Sequence, residues 1–178
     1  MQKEEHAIIL EYLPHGYPLE GKMIPIAQAI GEENLILLEL VPRRGMHLDI
    51  DKRVYIGDGK REEIYYILGR LPREKLTESA KAQLEKFIEQ VVKRKEQEYV
   101  DFFNKAEAIN KRVHQIELLP GMGKKYTKDI VEQRRIEEFK SFEDIKKRIP
   151  NLPFPEKAIE KRIFQELTEF ERYNLFTK

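Results

Sequence analysis

The hydrophobic period of this chain changes near residue 76, and that change limits what it can fold into more than any other feature. Before it come five short apolar or alternating runs: Ala7–Tyr12 (AIILEY), Ile24–Ile30 (IPIAQAI), Leu35–Val41 (LILLELV), Arg53–Ile56 (RVYI) and Ile64–Leu68 (IYYIL). Turn-rich pieces separate them (PHGYPLEG, GEEN, PRRG, GDGKR), so the runs read as strands. After it, Ala80, Leu84, Phe87, Ile88, Val91 and Val92 recur at steps of three and four, and Phe102, Phe103 and Ala106 resume the pattern. That is the period of an amphipathic helix. The succession predicts an α+β, two-domain chain.

Five short strands in residues 1–72 suit a small antiparallel β-barrel, and an OB-like barrel is the common five-stranded solution. The first half of PIAQAIGEENLILLELV also suits a helix, which leaves the strand order open. Residues 73–106 read as a connecting helix or helices. Thr77 is the expected N-cap, and neither proline nor glycine interrupts 77–106. One helix of that length reaches about 45 Å; a break near Glu96–Tyr99 is the alternative. Residues 107–178 read as an all-α domain, broken at LPGMG, EEFKS and IPNLPFP.

The 33 basic and 32 acidic residues leave a net charge of +1. No global field favours a polyanion, so any basic surface is local. Residues 1–72 hold 9 basic and 12 acidic side chains, a net of −3, and residues 107–178 hold 16 and 13, a net of +3. The chain has no cysteine, which excludes disulfides, thiolate-ligated metals and cysteine nucleophiles. His6, His15, His47 and His114 form no H-x-x-x-H pair, and no metal or cofactor is expected. The opening MQKEEHAIILEYLP lacks the cationic start and apolar run of a signal peptide. No run approaches the roughly 20 apolar residues that span a bilayer. The expected location is the cytoplasm, with no membrane partner.

The stretch "LPGMGKK" (Leu119–Lys125) raises the functional question. Ile109, Val113, Ile116 and Leu119 fall on one helical face before it, and Tyr126, Ile130 and Val131 form a second stripe after it. Pro120–Gly123 therefore joins two short helices. The glycines permit left-handed angles, and at this level the segment is a tight hairpin. Gly123, however, stands at the start of the second helix, where the first backbone N–H groups lack partners. Those groups and the helix dipole favour an anion. Gly121, Met122 and Gly123 would let a phosphate approach the main chain, Lys124 and Lys125 add charge at the rim, and Lys124, Lys128 and Arg135 share a face along which further phosphates could be tracked. These residues resemble the helix-hairpin-helix motif, whose core is an apolar residue, any residue, then G-apolar-G. The resemblance implies binding of DNA or RNA backbones without sequence reading.

A second hairpin should follow. Ser141-Phe142-Glu143-Asp144 fits a capping box, and Ile149-Pro150-Asn151-Leu152-Pro153 falls where the next turn belongs. Asn151 is able to adopt a left-handed conformation, but Pro153 has no N–H to donate. This hairpin is degenerate and expected to support packing. Across nearly the whole chain, "RVYIGDGKR" (Arg53–Arg61), "ELLPGMGKK" (Glu117–Lys125) and "SFEDI" (Ser141–Ile145) resemble archaeal domain-of-unknown-function family 655, of the kind labelled predicted RNA- or nucleotide-binding. That resemblance implies an OB-like barrel joined to a helix-hairpin-helix domain and no catalytic residues. In the barrel, Arg43, Arg44, Lys60 and Arg61 lie in or beside turns and Tyr55, Tyr65 and Tyr66 on strands, a set that suits single-strand binding.

Two rival functions belong to other classes. A DNA glycosylase of the helix-hairpin-helix class follows its hairpin with an aspartate, a place that Asp144 fills, with Lys124 or Lys125 in the hairpin. Asp144 is equally explained as the capping partner of Ser141, and no helical domain to enclose a flipped base precedes the hairpin. The carboxylate pairs Asp49/Asp51, Glu62/Glu63 and Glu137/Glu138 read as surface pairs. The other rival is a protein–protein adaptor, with the long charged helix and Glu156–Tyr173 as its interface. The expected function is non-catalytic, sequence-independent nucleic-acid binding.

Overall fold

The computed structural model describes residues 3–178. The fold is α+β: a curled sheet of five antiparallel strands and five α-helices. Two compact units make it up, one comprising residues up to Lys86 together with Glu166–Lys178, the other Phe87–Gln165.

In the first unit the strands are β1 (His6–Leu13), β2 (Ile26–Gly31), β3 (Leu37–Pro42), β4 (Arg53–Tyr55) and β5 (Ile64–Arg70), in the order β4-β1-β2-β3-β5. All five expected runs are strands. Every residue of β2 and β3 is buried, as expected of near-continuous apolar runs covered on both faces. The helical option for PIAQAI does not form, because strand spacing sends Ala27 and Ala29 into one core with Ala7, Ile9, Leu38 and Leu40. Among the described residues β4 and β5 do not pair. The expected barrel is therefore an open half-barrel. Its short β4 ends where the Tyr55 hydroxyl accepts the Gly59 N–H at 2.9 Å and the Arg61 Nε donates to the Gly57 carbonyl at 2.8 Å.

Two polar residues interrupt the buried strands, Gln28 and Glu39. Gln28 donates to the Lys75 carbonyl at 2.7 Å and to the Tyr17 hydroxyl at 3.2 Å, and accepts from the Thr77 N–H at 3.2 Å. A buried amide needs such partners, and here they tie the chain after β5 back to the sheet.

The helices are α1 (Glu78–Arg94), α2 (Glu96–Lys105), α3 (Lys124–Ile136), α4 (Phe142–Arg148) and α5 (Pro155–Thr168). Thr77 caps α1 as expected, its Oγ1 accepting from the Ala80 N–H at 3.1 Å. The apolar pattern of 77–106 is divided at Lys95, between α1 and α2. Near the chain's end Glu166 is 2% exposed. Its carboxylate accepts from the N–H groups of Leu175, Phe176 and Thr177 at 3.0, 3.0 and 3.1 Å and from the Thr177 hydroxyl at 3.1 Å.

The second unit departs from expectation upstream of LPGMG. No α-helix runs through Ile109–Leu119. The Asn110 Oδ1 accepts from the N–H groups of Arg112 and Val113 at 2.8 and 3.0 Å, a local turn that competes with helix. Only Gln115–Leu118 is helical, as one 3-10 turn. Three arginines then satisfy carbonyls at segment ends. Arg134 donates to the carbonyls of Phe103 and Ala106 at 3.0 and 2.8 Å after α2. Arg148 donates to those of Gln133 and Glu137 after α3. Arg162 donates to the Leu118 carbonyl at 3.3 Å after the 3-10 turn.

Candidate functional site

The turn between the 3-10 segment and α3 is built on a buried triad, Ile116, Leu119 and Met122. The Met122 N–H donates to the Leu119 carbonyl at 3.1 Å, closing a four-residue turn. Gly121 adopts φ +82°, a left-handed conformation that a Cβ would strain. Gly123 has φ −87° and ψ −173°, extended backbone open to any residue. A Cβ built on Gly123 meets nothing within 4 Å. The fold therefore requires glycine at 121 and not at 123. Met122 is 3% exposed, so its contribution is to packing and to the backbone path.

Gly123 is the N-cap of α3, no side chain caps that end, and the first turn has no acidic residue. The Thr127 N–H and Oγ1 both donate to the Gly123 carbonyl, at 3.0 and 2.9 Å. The amides of Lys124, Lys125 and Tyr126 are the orphan donors of the first turn. The start of α4 is built differently: the Ser141 Oγ accepts from the Asp144 N–H at 2.9 Å, and Glu143 and Asp144 occupy its first turn. Asp144 also accepts from the Lys140 N–H at 3.0 Å and pairs with Arg148 at 3.5 Å, so its contacts are those of a capping residue.

The expected cations differ in their freedom. The Lys124 Nζ donates to the Arg112 carbonyl at 2.8 Å and pairs with Glu117 at 3.4 Å. Lys128 lies 4.0 Å from Glu132. Lys125 and Arg135 are exposed, and neither has a hydrogen-bond or ion-pair partner among the described residues. Lys124, Lys128 and Arg135 do lie along one face of α3, since positions 4 and 11 residues on return to nearly the same angle. His114 caps the 3-10 turn, its Nδ1 accepting from the Ile116 N–H at 3.1 Å. Burial, and then the nearby Arg134 guanidinium, hold the His114 imidazole below its ordinary pKa. Burial likewise lowers Arg134.

The second turn repeats the first in outline. The Leu152 N–H donates to the Ile149 carbonyl at 3.1 Å, and both side chains are buried. Asn151 does not take the left-handed conformation available to it; the positive-φ residues other than glycine are Leu35 and Asp51. With proline at 153 and no glycine, this turn packs inward: a Cβ on Gly121 would lie 3.5 Å from the Pro153 Cγ. The Lys146 Nζ donates to the Leu152 carbonyl and lies 4.8 Å from the Phe154 ring centre. Glu156 occupies the first turn of α5, which disfavours an anion there.

A model of a protein family of unknown function, DUF655, matches residues 3–178. The chain belongs to that family. It is 39% identical over 177 residues to the uncharacterized protein MJ0038 of Methanocaldococcus jannaschii, spanning 98% of this chain and 80% of that one. It resembles the crystal structure of Af1531 from Archaeoglobus fulgidus, a DUF655 protein, with a TM-score of 0.84 and 43% identity, covering 98% of this chain and 100% of that one.

In this DUF655 protein the half-barrel cations are partly structural. The Arg43 Nε donates to the Arg61 carbonyl at 2.7 Å, and Arg61 is bound to Gly57 as described. Arg44 and Lys60 are exposed. Tyr55 is committed to the Gly59 turn, whereas Tyr65 and Tyr66 are open to solvent. Among the described residues no group of three or more His, Asp or Glu is placed to hold a metal ion, and no helix is long and apolar enough to cross a membrane. The arginines at 134, 148 and 162 were not separable in the sequence from the solvated charges around them.

Proposed function

We propose that this protein is a non-catalytic, cytoplasmic nucleic-acid-binding protein that grips the phosphate backbone, without reading sequence, at the Gly121–Lys125 turn. In this reading Gln115–Ile136 is a helix-hairpin-helix unit with a shortened first helix, Phe142–Thr168 is its degenerate second copy, and the half-barrel is an OB-like partner domain. The observation that carries the reading is the start of α3: uncapped, free of carboxylate, flanked by lysines, and opened by a glycine that its own backbone conformation does not require. An anion completes such a terminus.

The test is a titration of the whole protein into labelled single- and double-stranded DNA and RNA at two salt concentrations. Each phosphate contact contributes about −0.7 to −0.9 to the slope of log affinity on log salt, so Lys125 and Arg135 together give a slope of about −1.4 to −1.8. Charge reversal at both, Lys125→Glu with Arg135→Glu, should remove that much of the salt slope. Absence of binding by the intact protein, or unchanged binding by the folded double variant, rejects the proposal. Recovery of a protein partner that survives high salt, with no nucleic acid, would favour an adaptor.

A further inference from the structure

The half-barrel carries a second concave surface, distinct in composition from the hairpin. A cleft of about 810 Å³ is bordered by Tyr12, Arg44, His47, Tyr65 and Tyr66, and among the described residues none that lines it is acidic. Its size falls within the roughly 300–1,000 Å³ of small-ligand sites. Local lack of carboxylate matters here, because residues 1–72 as a whole carry more acid than base.

The arrangement of its aromatic wall follows from one proline. Neighbouring residues of a regular strand point to opposite faces, so Tyr65 and Tyr66 would normally be separated by the sheet. Pro42, at the end of β3, has no N–H to give to β5. The register shifts there: Val41 pairs with Tyr66 and Pro42 with Ile64, leaving Tyr65 as the extra residue of a bulge. A bulge re-aims side chains. Both tyrosines consequently border the cleft, their rings 5.3 Å apart edge to face, with 64% of Tyr65 and 38% of Tyr66 exposed. Aromatic surface of this extent is ordinarily buried in a core.

The opposite wall is fixed in place. Tyr12 donates its hydroxyl to the Met46 carbonyl at 3.4 Å and meets the His47 ring edge-on at 4.8 Å. His47 has Asp49 at 3.5 Å, and Asp49 is not among the residues that line the cleft. The turn Arg43–Met46 closes with the Met46 N–H on the Arg43 carbonyl at 2.9 Å and Gly45 at φ +77°. Arg44 stands at its corner, exposed and without a hydrogen-bond or ion-pair partner among the described residues.

We propose that this cleft takes unpaired bases of a single-stranded nucleic acid, stacked on Tyr65 and Tyr66, with a backbone phosphate at Arg44. Flat apolar rings recognise any base face, and a cation without a counter-carboxylate recognises the phosphate. Bases within a duplex are stacked on each other and do not present such faces. The site needs no contribution from the hairpin.

The test compares affinity of the full chain for a uridine octamer, a thymidine octamer, a duplex of equal length and free uridine monophosphate. Tyr65→Ala should weaken binding of the octamers roughly tenfold, as loss of one stacked base does, and leave the duplex unaffected. Tyr65→Phe should bind as wild type, and Arg44→Glu should lower octamer affinity and flatten its salt dependence. Tyr65 is exposed enough for these changes to leave folding intact. Equal octamer binding by Tyr65→Ala overturns the proposal, as does uridine monophosphate binding as tightly as the octamers. Lys125→Glu, measured beside them, separates the two sites. Loss in Lys125→Glu alone overturns the cleft and spares the hairpin; loss in Tyr65→Ala alone does the reverse.

Discussion

Gly123→Ser separates the structural role of the Leu119–Lys125 turn from its proposed binding role, because the two respond in opposite directions. The backbone at Gly123 lies in an extended region that serine adopts freely, and a Cβ there meets no atom within 4 Å. Serine is also a better N-cap than glycine, by a few tenths of a kcal/mol, since its hydroxyl accepts an orphan amide of the first turn. Reduced backbone freedom in the unfolded chain adds about 0.4–1 kcal/mol. The variant should therefore be more stable, by about 1 kcal/mol in total, which raises the melting temperature by roughly 2–4 °C. That same hydroxyl occupies the amides that a phosphate would use. A charge-assisted hydrogen bond contributes about 1.5–3 kcal/mol, so nucleic-acid affinity should fall tenfold or more. Thermal melting and fluorescence anisotropy on the same preparation read both effects. A variant that is stabilised yet binds as tightly as wild type would refute the assignment of those amides to phosphate.

Two other outcomes follow from buried polar contacts. Glu166→Gln preserves shape but places a donor where the carboxylate now accepts from three amides and a hydroxyl; a loss of about 2 kcal/mol is expected, and denaturant unfolding with a change below about 0.5 kcal/mol would contradict it. Burial, and then Arg134, push the His114 pKa down, so its folded pKa lies below the unfolded value near 6.5. The unfolded chain then binds more protons in that window, and stability is full above about pH 6.5 and declines as pH falls toward the folded value. Melting followed between pH 7.5 and 5 should show this decline, and His114→Gln should reduce it.

The strands were legible because each apolar run is bounded by its own turn signal and answers to local spacing. Closure of the barrel was not, since it depends on whether β4 and β5 meet, and no local pattern encodes a missing pairing. Ile109, Val113 and Ile116 satisfy a helical period, yet Asn110 captures the amides of Arg112 and Val113 first. Periodicity reports which side chains want a core; it does not report a side chain that competes for the backbone. The tight turn before α3 was legible from its two glycines, although their unequal roles became visible only with their dihedral angles. The bulge at Tyr65 had its signal in Pro42, a proline at the end of a strand, but the partner it disturbs is set by register.

Charge counting alone would have misplaced the proposed binding surface. Residues 107–178 carry a net of +3, but Arg134, Arg148, Arg162 and Lys146 donate to carbonyl groups and so serve the fold first. What remains near the start of α3 is a small set in which Lys125 is the freest. Lys147 offers a control of equal charge: it is exposed and lies 3.9 Å from Glu143, and its neighbour Arg148 binds the carbonyls at the opposite end of α3. A 13-residue helix is about 20 Å long, more than twice the screening length of about 8 Å at physiological salt. Lys125→Gln and Lys147→Gln each remove one positive charge. If net charge governs binding, the two variants lose affinity equally. If the α3 terminus does, Lys125→Gln lowers affinity several-fold and Lys147→Gln leaves it within twofold, because Lys147, in α4 and paired with Glu143, is screened from a phosphate held at Gly123 and is not one of the cations along α3 that would follow the next phosphates.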